Sequence, residues 1–85
     1  MTYYVYILES DFDGSYYVGS TSNLKERLER HNQGRSKYTK QKRPWKILYH
    51  EKHPNRSSAM KREYEIKRQK RKAYISELIK GFSFD

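Results

Sequence analysis

Tyr3-Tyr4-Val5-Tyr6-Ile7-Leu8, then Asp11-Phe12-Asp13-Gly14, then Tyr16-Tyr17-Val18-Gly19, is the stretch whose reading decides the fold. Val5 and Ile7 alternate with Tyr4, Tyr6 and Leu8, the period of two that a strand requires. The Asp and Gly residues of 11–14 suit a hairpin connection, so the two strands are expected to pair antiparallel. If a loop of those four residues closes the hairpin, opposed positions sum to an odd number. Tyr6 then falls on the side of Gly19 and Tyr17 on the side of Leu8. The two phenols share one face, where two hydroxyls can act on one substrate.

Working outward, Ser20-Thr21-Ser22-Asn23 is a cluster of helix N-capping residues, and Leu24 to His31 reads as a helix stopped by Asn32 and Gly34. Its stripe is Leu24, Arg27, Leu28, His31, which puts an arginine and a histidine where helical spacing calls for apolar side chains. Arg27 can also be read simply as lying at the stripe's edge, its stem on the core and its head in water. Residues 33–43 form a basic loop holding Arg35, Lys37, Lys40, Lys42 and Arg43 with one aromatic, Tyr38. Cations interleaved with an aromatic suit phosphate contacts plus base stacking, although such runs also occur as plain solvated loops. Pro44 to Glu51 gives a third strand, with Trp45, Ile47 and Tyr49 expected on one face and Leu48 and His50 on the other.

A second helix is expected to run from a cap at Asn55, Ser57 or Ser58 to about Arg71. Ala59, Glu63 and Ile66 fall at i, i+4 and i+7 with Met60 beside them, so a carboxylate sits on the apolar stripe. An i, i+4 pair with Lys67 would explain it at about 0.2–0.5 kcal/mol; a metal ligand at the core's rim is the sharper explanation. The cationic run Lys67-Arg68-Gln69-Lys70-Arg71-Lys72 closes this helix, where positive charge also favours the helix terminus. Ile75, Leu78, Ile79 and Phe82 mark the apolar face of a third helix ending at Gly81.

Tyr4-Val5-Tyr6 followed by Tyr17-Val18-Gly19, with Arg27 and His31 on one helix and Glu63 on a later one, resembles the GIY-YIG nuclease domain. The resemblance runs from Tyr3 to about Lys67, and its order and spacing carry it, since neither tripeptide alone would. It departs from the family pattern at Tyr4, which stands where the first tripeptide has glycine, a residue with no chemical group in the reaction. The resemblance implies a small mixed domain that cuts phosphodiester bonds with one divalent ion, Mg²⁺ or Mn²⁺, held partly by substrate. It further implies Tyr17 as general base, Glu63 as metal ligand, Arg27 as transition-state stabiliser, and Tyr6 and His31 as groups orienting water or phosphate.

Phosphodiester hydrolysis needs an attacking water, a proton acceptor, and positive charge where negative charge builds. A phenol is ionised only to about one part in 10³ at neutral pH, so a tyrosine base needs cations nearby to favour the phenolate; His31 is the alternative base. One carboxylate is a weak cage for Mg²⁺, which keeps several waters and binds partly through substrate phosphate. Of the nine tyrosines only Tyr6 and Tyr17 receive a chemical role. Tyr38 is a candidate base-stacker, and Tyr3, Tyr4, Tyr16, Tyr49, Tyr64 and Tyr74 are mostly assigned to packing.

A chain of 85 residues fits one domain, 1–85, and buries only about 60–65% of its unfolded surface. Nineteen Lys and Arg against ten Asp and Glu give a formal charge of +9, which calls for a polyanion partner. Nucleic acid fits best, DNA ahead of RNA, contacted by Arg35, Lys37, Tyr38, Lys40, Lys42, Arg43, Lys67 and Arg68. A membrane partner is excluded on the expectation that no apolar run approaches the roughly 20 residues of a spanning helix. No signal peptide is read before Tyr3, so a cytoplasmic location is expected. There is no cysteine, hence no disulfide or thiolate metal site. No phosphate-cradling glycine loop or dinucleotide fingerprint occurs.

The expected architecture is α+β, a three-stranded and mainly antiparallel sheet flanked by helices, with strand order open. The expected function is a metal-dependent endonuclease, with a protein partner supplying specificity. The alternative is a non-catalytic nucleic-acid-binding protein with the same fold.

Overall fold

Strand β1 (Tyr3–Ser10) runs down the middle of an antiparallel sheet of order β2-β1-β3, between β2 (Tyr16–Thr21) and β3 (Trp45–His53). It takes the centre because both of its faces are apolar: Val5 and Ile7 point one way, Tyr6 and Leu8 the other, and all four are buried. The computed structural model describes residues 2–69 and 71–82; Lys70 of the cationic run lies outside them.

The hairpin closes on residues 11–14 as the alternation requires. The Ser10 carbonyl accepts from Gly14 N–H and the Ser10 N–H donates to the Ser15 carbonyl, both at 2.8 Å. Ser10 Oγ accepts from the N–H groups of Phe12 and Asp13, and Gly14 takes the left-handed φ of +73° that the turn needs. The register therefore sets Tyr6 opposite Gly19 and Leu8 opposite Tyr17.

On β3 the expected facing is corrected. Ile7 pairs with Tyr49 but Leu8 pairs with Ile47, so Leu48 is an extra residue, a bulge, between them. One inserted residue inverts the alternation. Trp45 and Ile47 join Tyr6 and Leu8 on one face, whereas Tyr49 turns to the other and packs with Val5, Ile7 and Val18.

Helix α1 (Leu24–Asn32) covers the Tyr6 face through Leu24 and Leu28. Asn23 caps it, its Oδ1 accepting from Glu26 N–H at 3.1 Å. Helices α2 (Arg56–Gln69) and α3 (Lys72–Lys80) cover the opposite face, α2 through Ala59 and Ile66 and α3 through Tyr74, Ile75, Leu78 and Ile79. Asn55 caps α2 by accepting from Ser58 N–H at 2.9 Å. That helix ends at Gln69, short of Arg71, and Met60 and Tyr64 on it are exposed, so Tyr64 is not a packing residue. Glu51 joins β3 to α2, accepting from Tyr49 Oη and, at 2.8 Å, from Arg62 Nε.

The basic loop is anchored at both ends. Asn32 pairs its side-chain amide with both backbone groups of Trp45, accepting at 2.6 Å and donating at 3.0 Å. The Trp45 indole N–H donates to the Thr39 carbonyl at 3.0 Å, and Thr39 is buried just ahead of a single 3₁₀ turn, Lys40–Lys42. Two side chains thus fix a loop whose cations stay in water.

Candidate active site

Gly19 is where the hairpin first makes a site. A Cβ there would lie 2.5 Å from Tyr6 Oη and 2.7 Å from its Cζ, so the phenol lies across the bare backbone of β2. Tyr6, 1% exposed, is hydrogen-bonded through its hydroxyl to His31 Nε2 at 3.2 Å. The other ring nitrogen, Nδ1, is 2.7 Å from Thr39 Oγ1. Each neutral tautomer satisfies both contacts, with one nitrogen donating and the other accepting. His31 therefore has both nitrogens engaged inside the protein.

Burial sets the protonation of this pair. Desolvation pushes the Tyr6 phenol well above its ordinary value and nearby Tyr17 adds to this, while the Arg27 guanidinium opposes it. Tyr6 is held as a neutral hydroxyl. Desolvation likewise lowers His31, helped by the cations Arg27 and Arg30, so its ring is neutral at pH 7.

Tyr17, half-buried, stands at the mouth of the same layer. Its ring centroid lies 4.9 Å from that of His31, 6.4 Å from Tyr6 and 6.1 Å from Tyr38. Tyr17, Arg27, Arg30, His31, Arg35 and Ser36 line a cleft of about 200 Å³. Arg27 also lines a second cleft of about 290 Å³, on the far side of β2, together with Ser20, Arg56 and Glu63. Since β2 is an edge strand, a side chain from α2 can approach the α1 side without crossing the sheet. Tyr6, Tyr17 and His31 form one cluster, and Glu63 shares with Arg27 the second cleft beside it.

Glu63 is only partly exposed, and each carboxylate oxygen already has a partner. Oε1 accepts from Ser20 Oγ at 2.7 Å and Oε2 faces Lys67 Nζ at 2.6 Å. The i, i+4 pair with Lys67, the plainer of the two explanations for this carboxylate, is formed. Among the described residues no group of three or more His, Cys, Asp or Glu side chains converges as a metal cage. A single carboxylate opening on a polar cleft fits a hard divalent ion that keeps its waters and shares substrate phosphate; it does not fit an ion held by protein alone.

The remaining basic residues are solvent-facing. Arg35, Lys37, Lys40, Lys42, Arg43 and Arg68 are exposed, and Tyr38 is 84% exposed beside Tyr17. Lys42 is paired with Asp13 at 3.1 Å, and Arg43 Nε donates to the Lys40 carbonyl at 2.8 Å. Residue patterns missed Ser20 and Thr39. Ser20 reads as one of four capping residues, of which Asn23 is the cap, and no periodicity marks a threonine that locks a histidine ring across a loop.

The family model of the GIY-YIG catalytic domain matches residues 2–76, and the chain belongs to that family, which is of nuclease type. Its relatives are small UPF0213 proteins. One from Staphylococcus aureus (strain Mu3 / ATCC 700698) is 44% identical over 80 residues, covering 89% of this chain and 96% of its own. UPF0213 protein SA0446 of S. aureus strain N315 matches with the same figures. The solution NMR structure of UPF0213 protein BH0048 from Bacillus halodurans superposes with a TM-score of 0.53 at 38% identity, over 89% of this chain and 84% of that one. No helix among the described residues is long and apolar enough to cross a membrane.

Proposed function

We propose that this protein is a metal-dependent endonuclease that hydrolyses phosphodiester bonds in DNA, acting as a single cytoplasmic domain with specificity supplied by a partner protein. The observation that carries this reading is the meeting of Tyr17, Arg27 and His31 on one cleft, with Tyr6 behind them and Glu63 across Arg27.

The two phenols divide the work by environment. Tyr6, buried and kept protonated, is a fixed hydroxyl that cannot serve as base. Tyr17 opens on the cleft and, reacting as its phenolate, takes the proton from the attacking water to become the phenol as the water oxygen bonds to phosphorus and the ester oxygen departs. His31, with both nitrogens committed, positions Tyr6 rather than competing with Tyr17 for that proton. Arg27 faces the phosphate and offsets the charge that builds on its oxygens. Glu63 would hold the divalent ion, which when bound supplies positive charge at the phosphate and leaving oxygen. Lys67 balances the carboxylate otherwise.

One observation favours the non-catalytic alternative: both Glu63 oxygens are engaged by protein partners. Tyr17→Phe decides between the two. It keeps the ring and removes only the hydroxyl, so the fold should lose about 1 kcal/mol or less. Single-turnover cleavage of single-stranded, duplex and branched DNA and RNA with Mg²⁺ or Mn²⁺ should fall by about 10²–10⁴. Tyr74→Phe, on the opposite face, should cleave like the unmodified protein. Unchanged cleavage by Tyr17→Phe removes Tyr17 as base; no cleavage by the unmodified protein under any condition selects the binding protein.

A further inference from the structure

A cleft of about 550 Å³ is not accounted for by the hydrolytic chemistry. It lies along the β2 edge, lined by Tyr16, Tyr17, Tyr38, Ile66, Lys67 and Ile75. Its size falls within the roughly 300–1,000 Å³ of small-molecule sites, and like them it joins an apolar wall to a few polar groups. Tyr17 belongs to this cleft and to the candidate active site alike, so whatever occupies it adjoins the phosphate there.

From this we infer that the cleft takes one unpaired nucleobase of the substrate strand, next to the scissile phosphate, stacked on Tyr38. The inference rests on the nuclease reading above and narrows its substrate class to strands with an unpaired nucleotide at the cut. Tyr38 is 84% exposed on a loop whose neighbour Thr39 is pinned, so its ring costs nothing to reach and is held near one place. It tilts 49° from Tyr17 at 6.1 Å, a geometry in which the two rings do not stack on each other. A base can supply the missing partner.

The charge around the cleft matches a nucleotide better than an apolar metabolite. Lys67 lines it, and Lys72 Nζ lies 5.5 Å from the centre of the Tyr16 ring at the same wall. Lys72 thus offers a cation to a phosphate flanking the base, and Lys67 offers a second once it leaves its 2.6 Å pair with Glu63. A base inside a duplex has both faces covered by its neighbours and costs a few kcal/mol to extract, so a base already out of the stack is the one that enters.

The test uses DNA oligonucleotides with a fluorescent purine analogue at one position, held unpaired in a single strand, held unpaired in a bulged duplex, or fully paired. An abasic version of each is included, and binding is measured with metal chelated. Quenching on binding is expected for the unpaired analogue and not for the paired one. Loss of the base and Tyr38→Ala should each weaken binding by about 5- to 150-fold, the weight of one base–aromatic stack. Combined, they should weaken it no further, because both delete the same contact. Tyr38→Trp should restore binding, and Tyr64→Ala, which removes an exposed ring elsewhere on α2, should change nothing. Equal affinity for abasic and base-containing strands, or unaltered binding by Tyr38→Ala, overturns the inference. Cleavage of paired, unpaired and abasic strands at one rate overturns it while leaving the nuclease reading standing. Tyr38-dependent quenching without cleavage of any strand upholds the base site and ends the nuclease reading.

Discussion

Replacing Gly19 by alanine tests the geometry from which the site is built. The new methyl would lie 2.5 Å from Tyr6 Oη and 2.7 Å from Cζ, far inside van der Waals contact. Tyr6 cannot simply swing away, because it is 1% exposed and hydrogen-bonded to His31 at 3.2 Å. Overpacking of this kind costs about 1–3 kcal/mol, and loss of the Tyr6–His31 bond adds about 0.5–1.5 kcal/mol. The lower chain entropy of alanine returns about 0.5–1 kcal/mol. A net loss of about 0.5–4 kcal/mol follows, lowering the melting point by roughly 2–32 °C in a domain of this length. Gly14→Ala is the control: its Cβ meets nothing within 4 Å, but its φ of +73° costs about 1–2 kcal/mol of strain. Thermal melts alone would not separate the two, whereas single-turnover cleavage would, since only Gly19→Ala displaces the Tyr6 hydroxyl. In a Tyr6→Leu background the shorter side chain should erase most of the Gly19→Ala penalty. If Gly19→Ala melts and cleaves like the unmodified protein, Tyr6 does not lie over Gly19 and the site described above is wrong.

Three more expectations follow from the same contacts. Glu63→Gln should abolish metal-dependent cleavage while nucleic-acid affinity stays equal or rises, because it removes one negative charge and frees Lys67 from its 2.6 Å pair; a filter-binding assay beside the cleavage assay reads both. His31 is depressed below its unfolded value, so the native state resists a proton that the unfolded chain accepts. Stability should hold above pH about 6.5 and decline below it, with a slope of at most about 1.4 kcal/mol per pH unit from this residue, a slope that His31→Asn removes in urea titrations. Binding should weaken with salt by a log–log slope of about −0.9 per neutralised phosphate. Arg35→Ala should flatten that slope more than Lys42→Ala, since Lys42 is already paired with Asp13.

Much of the placement of the candidate site residues was legible in the sequence because it rests on local geometry. The loop of residues 11–14 and the two-residue alternation determine the register of Tyr6 and Tyr17 by covalent connection, whatever the rest of the chain does. Helical spacing alone likewise pairs Glu63 with Lys67 and puts Arg27 and His31 on the face that packs toward the sheet. The same logic failed where one residue more or less is allowed. Nothing in Ile47-Leu48-Tyr49, three apolar side chains in a row, announces which residue is the bulge. Nor does the α2 stripe reveal that Met60 and Tyr64 stay in water.

Two further matters were decided only when the layers met. Strand order puts β2 at the sheet's edge, and that position lets Arg27 of α1 and Glu63 of α2, from opposite layers, share a cleft. Thr39, one polar residue in a basic loop, is buried because Asn32 and Trp45 draw that loop onto α1, and its hydroxyl then fixes the ring of His31. Sequence sets which way each side chain points along its own element, since that depends on φ, ψ and the chain's period. Which of those faces come together depends on long-range burial, a property of the folded whole.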